Sequence, residues 1–256
     1  MLLVVDAGNT NVKLGVFRGA KLLVEWRLAT DASRAAEEYA TEVRDLFEPA
    51  KLCVEEVEGV AIASVVPSLN ASLTSLSERL FGVTPLFVDH ATETGLKILY
   101  NPPSDLGADR IVVAVAAVSK YGAPCIVVVC GTATTFNVVN AAGEFIGGAI
   151  SPGLTTCSDA LFARTAKLPR VEFERPERVI ASSTTEALQS GIYHGYAGLV
   201  DGVLEKMIME LGSTPQIIAT GGLAPLIAPA SQYISQVDET LTLEGLRLVY
   251  DLHVNP

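Results

Sequence analysis

The sequence predicts an α/β protein of two related halves, each a mixed sheet flanked by helices, and three observations carry the prediction. A hydrophobic strand that enters a glycine turn and leaves as a second strand occurs twice, as VVDAGNTNVKLGVF from Val4 to Phe17 and VVVCGTATTFNVVN from Val127 to Asn140. The copies are offset by 123 residues, Gly8 to Gly131, about half of a 256-residue chain. After three opening strands, helical and strand patterns alternate, the order that lays helices over a mixed sheet.

In the first half, Leu2 to Asp6, Val12 to Phe17 and Leu22 to Leu28 read as an antiparallel meander with turns at Gly8 and Gly19. A polar, alanine-containing helix is expected from Ser33 to Phe47, then a strand at Gly59 to Ser64, a helix after the Pro67 to Asn70 cap region and a short strand at Leu86 to Val88. The stretch YNPPSDLGADR, with two prolines and a glycine, demands a loop between the halves, and a helix is expected over Asp105 to Lys120. The hairpin theme returns at Cys125 to Val139 and Glu144 to Ile150. A helix follows near Thr155 to Thr165, then a longer one capped by Thr184 or Thr185, with Glu186 in its first turn, running towards Leu211. Gln216 to Ala219 is a strand ending in TGG, and Leu241 to Leu252 a terminal helix. The expected domains are 1–115 and 116–256.

Composition narrows the function classes. With 49% hydrophobic and 18% charged residues the chain reads as globular, and a net charge of −11 without Lys/Arg clusters excludes a nucleic-acid partner. The longest apolar runs are too short to cross a bilayer and MLLVVD lacks the basic flank of a signal peptide, so no membrane partner and a cytoplasmic location are expected. Cys53, Cys125, Cys130 and Cys157 have neither zinc nor disulfide-framework spacing and read as buried thiols. His194, beside Tyr193 and Tyr196, and Trp26 read as packing residues.

The repeated turn carries the chemistry. Glycine lets backbone amides approach an anion, and neighbouring Asn or Thr add donors, so a duplicated turn of this kind points to a nucleotide held between two lobes. Asp6, at the end of the first strand, can hold Mg²⁺ through water near phosphates. The same column of the second copy holds Val129. DAGNT, GADR, GTATT and ATGG each place glycine at an expected strand end or helix start, where α/β folds collect ligands.

Together with Tyr100-NP, GGAISPG, TAKLP and TTEALQSG, in this order from Leu2 to about Tyr250, these segments resemble the type III pantothenate kinase family. The resemblance implies two ribonuclease-H-like (actin-like ATPase) domains, a homodimer, and phosphoryl transfer from ATP to the primary hydroxyl of pantothenate, the first step of coenzyme A synthesis. It assigns Asp109 as base. It gives Asp6, Gly8, Asn9, Thr10, Asn11, Lys13 and Thr132 to ATP and its metal, and Tyr100, Gly107, Ala108, Asp109, Arg110 and Thr184 to pantothenate. Because Arg110 projects from the helix at a different angle from Asp109, it need not be consumed in a pair with it and can bind the pantothenate carboxylate.

The chain departs from the family pattern at Val129, where a carboxylate helps bind a monovalent cation (K⁺ or NH₄⁺), at Asn137, where an acidic residue is common, and at Ser183, where Asn often stands. Two further readings follow: a catalytically impaired homologue that binds ligand or partner, and a kinase for another small hydroxyl compound.

Overall fold

The computed structural model describes residues 1–31, 33–166 and 168–254. Lys167, in the TAKLP segment, lies outside them. Packing divides the chain into two units, Met1–Ala116 with Leu241–Pro256, and Ala117–Thr240.

The first unit is built on a sheet in the order β3-β2-β1-β4-β5, from β1 (Leu2–Ala7), β2 (Asn11–Arg18), β3 (Lys21–Ala29), β4 (Gly59–Ser64) and β5 (Leu86–Phe87). β1, β2 and β3 pair antiparallel, while β4 runs parallel to β1 and β5 parallel to β4. Period-two alternation sorts β1 onto two faces. Leu3 and Val5 pack with Tyr39, Val43 and Phe47 of α1 (Ala36–Phe47) and Leu73 and Leu76 of α2 (Asn70–Phe81). Leu2 and Val4 face the other way, onto Ala108 and Val112 of α3 (Ala108–Tyr121) and Leu243, Leu246 and Val249 of α7 (Leu241–Val254). Burial on both faces explains why β1 reads as an unbroken apolar run. Trp26 packs on Phe47, ring centroids 5.4 Å apart.

The second unit repeats this order. Its strands β7 (Cys125–Cys130), β8 (Ala133–Val139), β9 (Glu144–Pro152), β10 (Gln216–Thr220) and β11 (Gln236–Val237) lie as β9-β8-β7-β10-β11, antiparallel on one side of β7 and parallel on the other. A two-residue strand, β6 (Lys97–Ile98), and the short helix α6 (Ala224–Ile227) complete the elements besides α4 (Leu154–Ala163) and α5 (Thr184–Leu211). Tyr193, Tyr196, Val200 and Leu204 of α5 and Leu154 of α4 pack on Ile126, Val128 and Phe136. The duplicated hairpin is thus a duplicated topology. The copies differ at the turn: Ala7 pairs with Val12 in the first and Cys130 with Thr134 in the second, so the second turn is one residue shorter.

Four expectations need correction. The terminal helix packs on β1 and β4 of the first unit rather than joining the second half, because Gly59 and Gly245 open two notches. A Cβ at Gly59 would lie 2.0 Å from the Tyr250 hydroxyl, and one at Gly245 would lie 1.9 Å from the Val112 carbonyl. Helix α1 starts at Ala36 and not Ser33, since the Asp31 carboxylate accepts from the Ser33 amide (2.9 Å) and hydroxyl (2.6 Å) and holds a turn there. Helix α3 starts at Ala108, after a 3₁₀ turn at Pro103–Asp105 and an extended Leu106. Cys53 and Cys157 are exposed, whereas Cys125 and Cys130 are buried.

Candidate active site

Asp6 continues the row Leu2, Val4 along β1, so the pleat turns its carboxyl to the face that α3 covers. There it meets the charge of Asp109, which stands in the first turn of α3. Burial first, and then the negative charge of Asp109, push the Asp6 carboxyl up to about 7, against the pull of Lys13 and Arg27. Those two cations are placed by register. Asp6 lies opposite Lys13, and Lys13 opposite Arg27, so three charged residues form one row across β1, β2 and β3. Lys13 Nζ also lies 3.3 Å from Glu25 Oε2.

Asp109 is half-buried. Burial raises its pKa, while the Arg110 backbone N–H, the Arg110 charge and its own N–H hold part of that rise back. Two amides at a helix start are ready-made donors for a carboxylate. Gly107 belongs to this geometry, since a Cβ there would stand 2.5 Å from Asp109 Oδ1 and push the carboxylate away. Arg110 is only 6% exposed, its guanidinium 5.4 Å from the centroid of the Tyr100 ring. Ala108 is buried.

The turn Gly8 to Asn11 closes with Gly8 N–H donating to Asn11 O (3.0 Å). Thr30 pins it from β3's end, its amide donating to Thr10 O (3.0 Å) and its hydroxyl to Gly8 O (2.6 Å). Asn9, Thr10 and Asn11 are left exposed. Thr30 and Arg27 were not foreseen as part of this site; only cross-strand register, counted from the turn, could have revealed them.

In the second unit, the Gly131 amide donates to Ala133 O (3.1 Å), and Thr132 stands exposed at the tip. Three glycine-bearing segments converge here. Gly153 brings the start of α4 onto the turn, where a Cβ would lie 2.1 Å from Gly131 O. Gly221 of ATGG, at φ +93°, would put a Cβ 2.6 Å from Cys130 O. Beneath the turn, Thr134 hydrogen-bonds Tyr196 of α5, both buried. Thr184 is the first residue of α5 and not its cap; Ser183 caps, accepting from Glu186 N–H at 3.3 Å. The Ser-x-x-Glu spacing of a capping box was the legible signal for this.

Val129, on the column equivalent to Asp6, pairs with Thr135 and Thr220. Asn137 is fully buried on the same face, its amide nitrogen 3.0 Å from Thr135 Oγ1 and 3.4 Å from Val127 O. Among the described residues no three His, Cys, Asp or Glu side chains converge to hold a metal, and no helix is long and apolar enough to cross a membrane.

The first unit therefore gathers Asp6, Lys13, Asp109, Gly107 and the Arg110–Tyr100 pair around the end of β1 and the start of α3. Thr132 and Thr184 belong to the second unit, on separate elements. What this arrangement can do is hold an ionisable carboxylate at a helix start with a buried cation next to it.

Comparison with known proteins agrees. The family model described as type III pantothenate kinase matches residues 2–206. The chain is 50% identical over 251 residues to a type III pantothenate kinase of Anaeromyxobacter sp. (strain Fw109-5), covering 98% of this chain and 99% of that one. It is 47% identical over 261 residues to one of Koribacter versatilis (strain Ellin345), covering 98% and 95%. Among solved structures it is similar to a ROK hexokinase from Thermus thermophilus, with a TM-score of 0.50 and 15% identity over 99% of both chains, a likeness of fold. With its twin sheets in the actin-like, sugar-kinase arrangement and its sequence matched nearly end to end, the chain belongs to the type III pantothenate kinase family of phosphotransferases.

Proposed function

We propose that Asp109 is the general base of this pantothenate kinase, taking the proton from the primary hydroxyl of pantothenate as the ATP γ-phosphoryl group moves to that oxygen and gives 4′-phosphopantothenate. The observation that carries this reading is the half-buried Asp109 carboxylate in the first turn of α3, with its proton affinity raised by burial and its charged form held by the Arg110 amide. A base of raised affinity that still ionises matches the demand of general-base catalysis. Phosphoryl transfer needs little else from the protein beyond positioning and charge shielding.

Arg110 binds the pantothenate carboxylate. Its guanidinium is already desolvated and braced by Tyr100, which favours a two-point grip on a planar anion. Tyr100, Gly107 and Ala108 of the first unit contact the rest of the pantothenate. ATP is held by Asp6, Gly8, Asn9, Thr10, Asn11 and Lys13, and by Thr132 of the second unit. Mg²⁺ bound with the triphosphate would neutralise phosphate charge, with Asp6 as an outer partner through water; the donor set fits, since Mg²⁺ is held by phosphate and water more than by a protein cage.

A monovalent cation fits less well. Around Val129 the neighbouring polar side chains are the neutral Thr135, Thr220 and Asn137, with no carboxylate among them. The enzyme accordingly turns over without K⁺ or NH₄⁺. The groups in the first unit are unaffected by Val129, which supports an active enzyme. Exposed Ile150 (62%) and Phe162 (40%) support a homodimer, and an ATP-consuming enzyme of this kind works in the cytoplasm, where its nucleotide is.

The test is ATP-dependent phosphorylation of pantothenate by the parent and by Asp109→Asn. The variant is expected to lose kcat by about 10²- to 10⁴-fold with both KM values little changed. A loss smaller than about tenfold would remove Asp109 from the role of base.

A further inference from the structure

We propose that Thr156 is a positioning residue for the phosphate-binding turn of the second unit, acting through the carbonyl of Thr132. This rests on the reading above that Thr132 belongs to the ATP site. The Thr132 carbonyl accepts two hydrogen bonds, from the Gly153 amide at 3.0 Å and from the Thr156 hydroxyl at 2.6 Å. With both lone pairs engaged, the carbonyl is turned onto the start of α4. Because the peptide is planar and trans, the following amide, that of Ala133, points the opposite way, away from α4. The orientation of one amide of the turn is therefore set by a side chain 24 residues further along.

The remaining contacts of the turn leave it little freedom. Gly131 N–H closes on Ala133 O, Gly221 stands against Cys130, and Thr134 is tied to Tyr196 underneath. Gly153 is what allows α4 this close, because any Cβ there would collide with the Gly131 carbonyl. A turn whose amides are oriented before the anion arrives binds phosphate without an ordering cost and keeps its donors aimed as charge shifts during transfer. Thr156 is otherwise an exposed residue in the first turn of α4, a place where its β-branched side chain brings nothing to helix stability. Its hydroxyl reaches the turn instead of the solvent.

The experiment compares KM for ATP and for pantothenate, kcat and the melting temperature of the full-length parent with those of Thr156→Val, Thr156→Ser and Thr132→Val. Thr156→Val keeps the shape and removes the donor. It is expected to raise KM for ATP by about fivefold to tenfold, the loss of one hydrogen bond. KM for pantothenate and the melting temperature stay at parent values, and Thr156→Ser returns KM for ATP to that of the parent. Should Thr132→Val weaken ATP binding while Thr156→Val does not, the positioning role is overturned and the site assignment stands. If neither variant alters KM for ATP, both fall. If Thr156→Val lowers the melting temperature and raises both KM values together, the role is merely structural and the proposal is overturned.

Discussion

Replacing Asp6 by Asn should make this protein more stable at alkaline pH. The folded protein raises the Asp6 pKa from 3.8 to about 7, through burial and the facing charge of Asp109. A carboxyl with a raised folded pKa binds its proton more tightly in the folded state than in the unfolded chain. Its contribution to stability is fully present below pH 4 and is lost as pH rises through about 7. Three pKa units at ~1.4 kcal/mol each correspond to about 4 kcal/mol, and solvent reaching the half-buried carboxyl reduces this to about 2 to 4 kcal/mol. Asn cannot ionise and escapes the loss. Urea unfolding of parent and variant at pH 4, 6 and 8 should therefore show a stability difference that grows in favour of Asp6→Asn by that amount between pH 4 and pH 8. A difference that stays flat across this range, or that grows in favour of the parent, would refute the claim that burial and Asp109 oppose ionisation of Asp6.

Two further outcomes follow from the geometry. Gly107→Ala should fold with less than about 1 kcal/mol of lost stability, since its new methyl meets the tip of the Asp109 side chain at 2.5 Å and Val65 only at 3.4 Å, yet kcat should fall at least about tenfold as the carboxylate is displaced; thermal melting and steady-state kinetics read the two effects separately. Turnover should be equal in K⁺, NH₄⁺ and Na⁺ at constant ionic strength. Val129→Asp should cost about 1–3 kcal/mol in Na⁺ buffer, a cost that K⁺ partly restores if the column can be rebuilt into a cation site; calorimetric melts in the two salts measure it.

The central strands were legible because each is buried on both faces, which leaves a run of apolar residues that no turn or surface segment has. β1 and β7 were found in this way, and the glycine turns after them gave the 123-residue offset. Helix starts were harder, since they depend on which side chain wins the first free amide. Asp31 stopped α1 from reaching back to Ser33, and Ser183 took the cap that Thr184 or Thr185 was expected to fill. Of the site, the segments GADR and DAGNT could be found by their residues. That Asp6 and Asp109 feel each other could not, since 103 positions separate them and only the packing of α3 on β1 joins them.

By itself the sequence determined the two-fold repetition, the strands at its heart, the residue types available for phosphate and carboxylate, and membership of a kinase family. Periodicity records which face of an element is apolar, and that was enough for the strands, while the glycine-bearing motifs and their order carried the repetition, the residue types and the resemblance to the family. The tertiary structure alone decided which element covers each face. It sent the last helix back to the first sheet through the notches at Gly59 and Gly245, set a second carboxylate against Asp6, and brought Gly153, Thr156 and Gly221 onto one turn. Such meetings depend on shape at a few ångströms between segments far apart in the chain, and a hydrophobic pattern along one strand or helix holds no information about them.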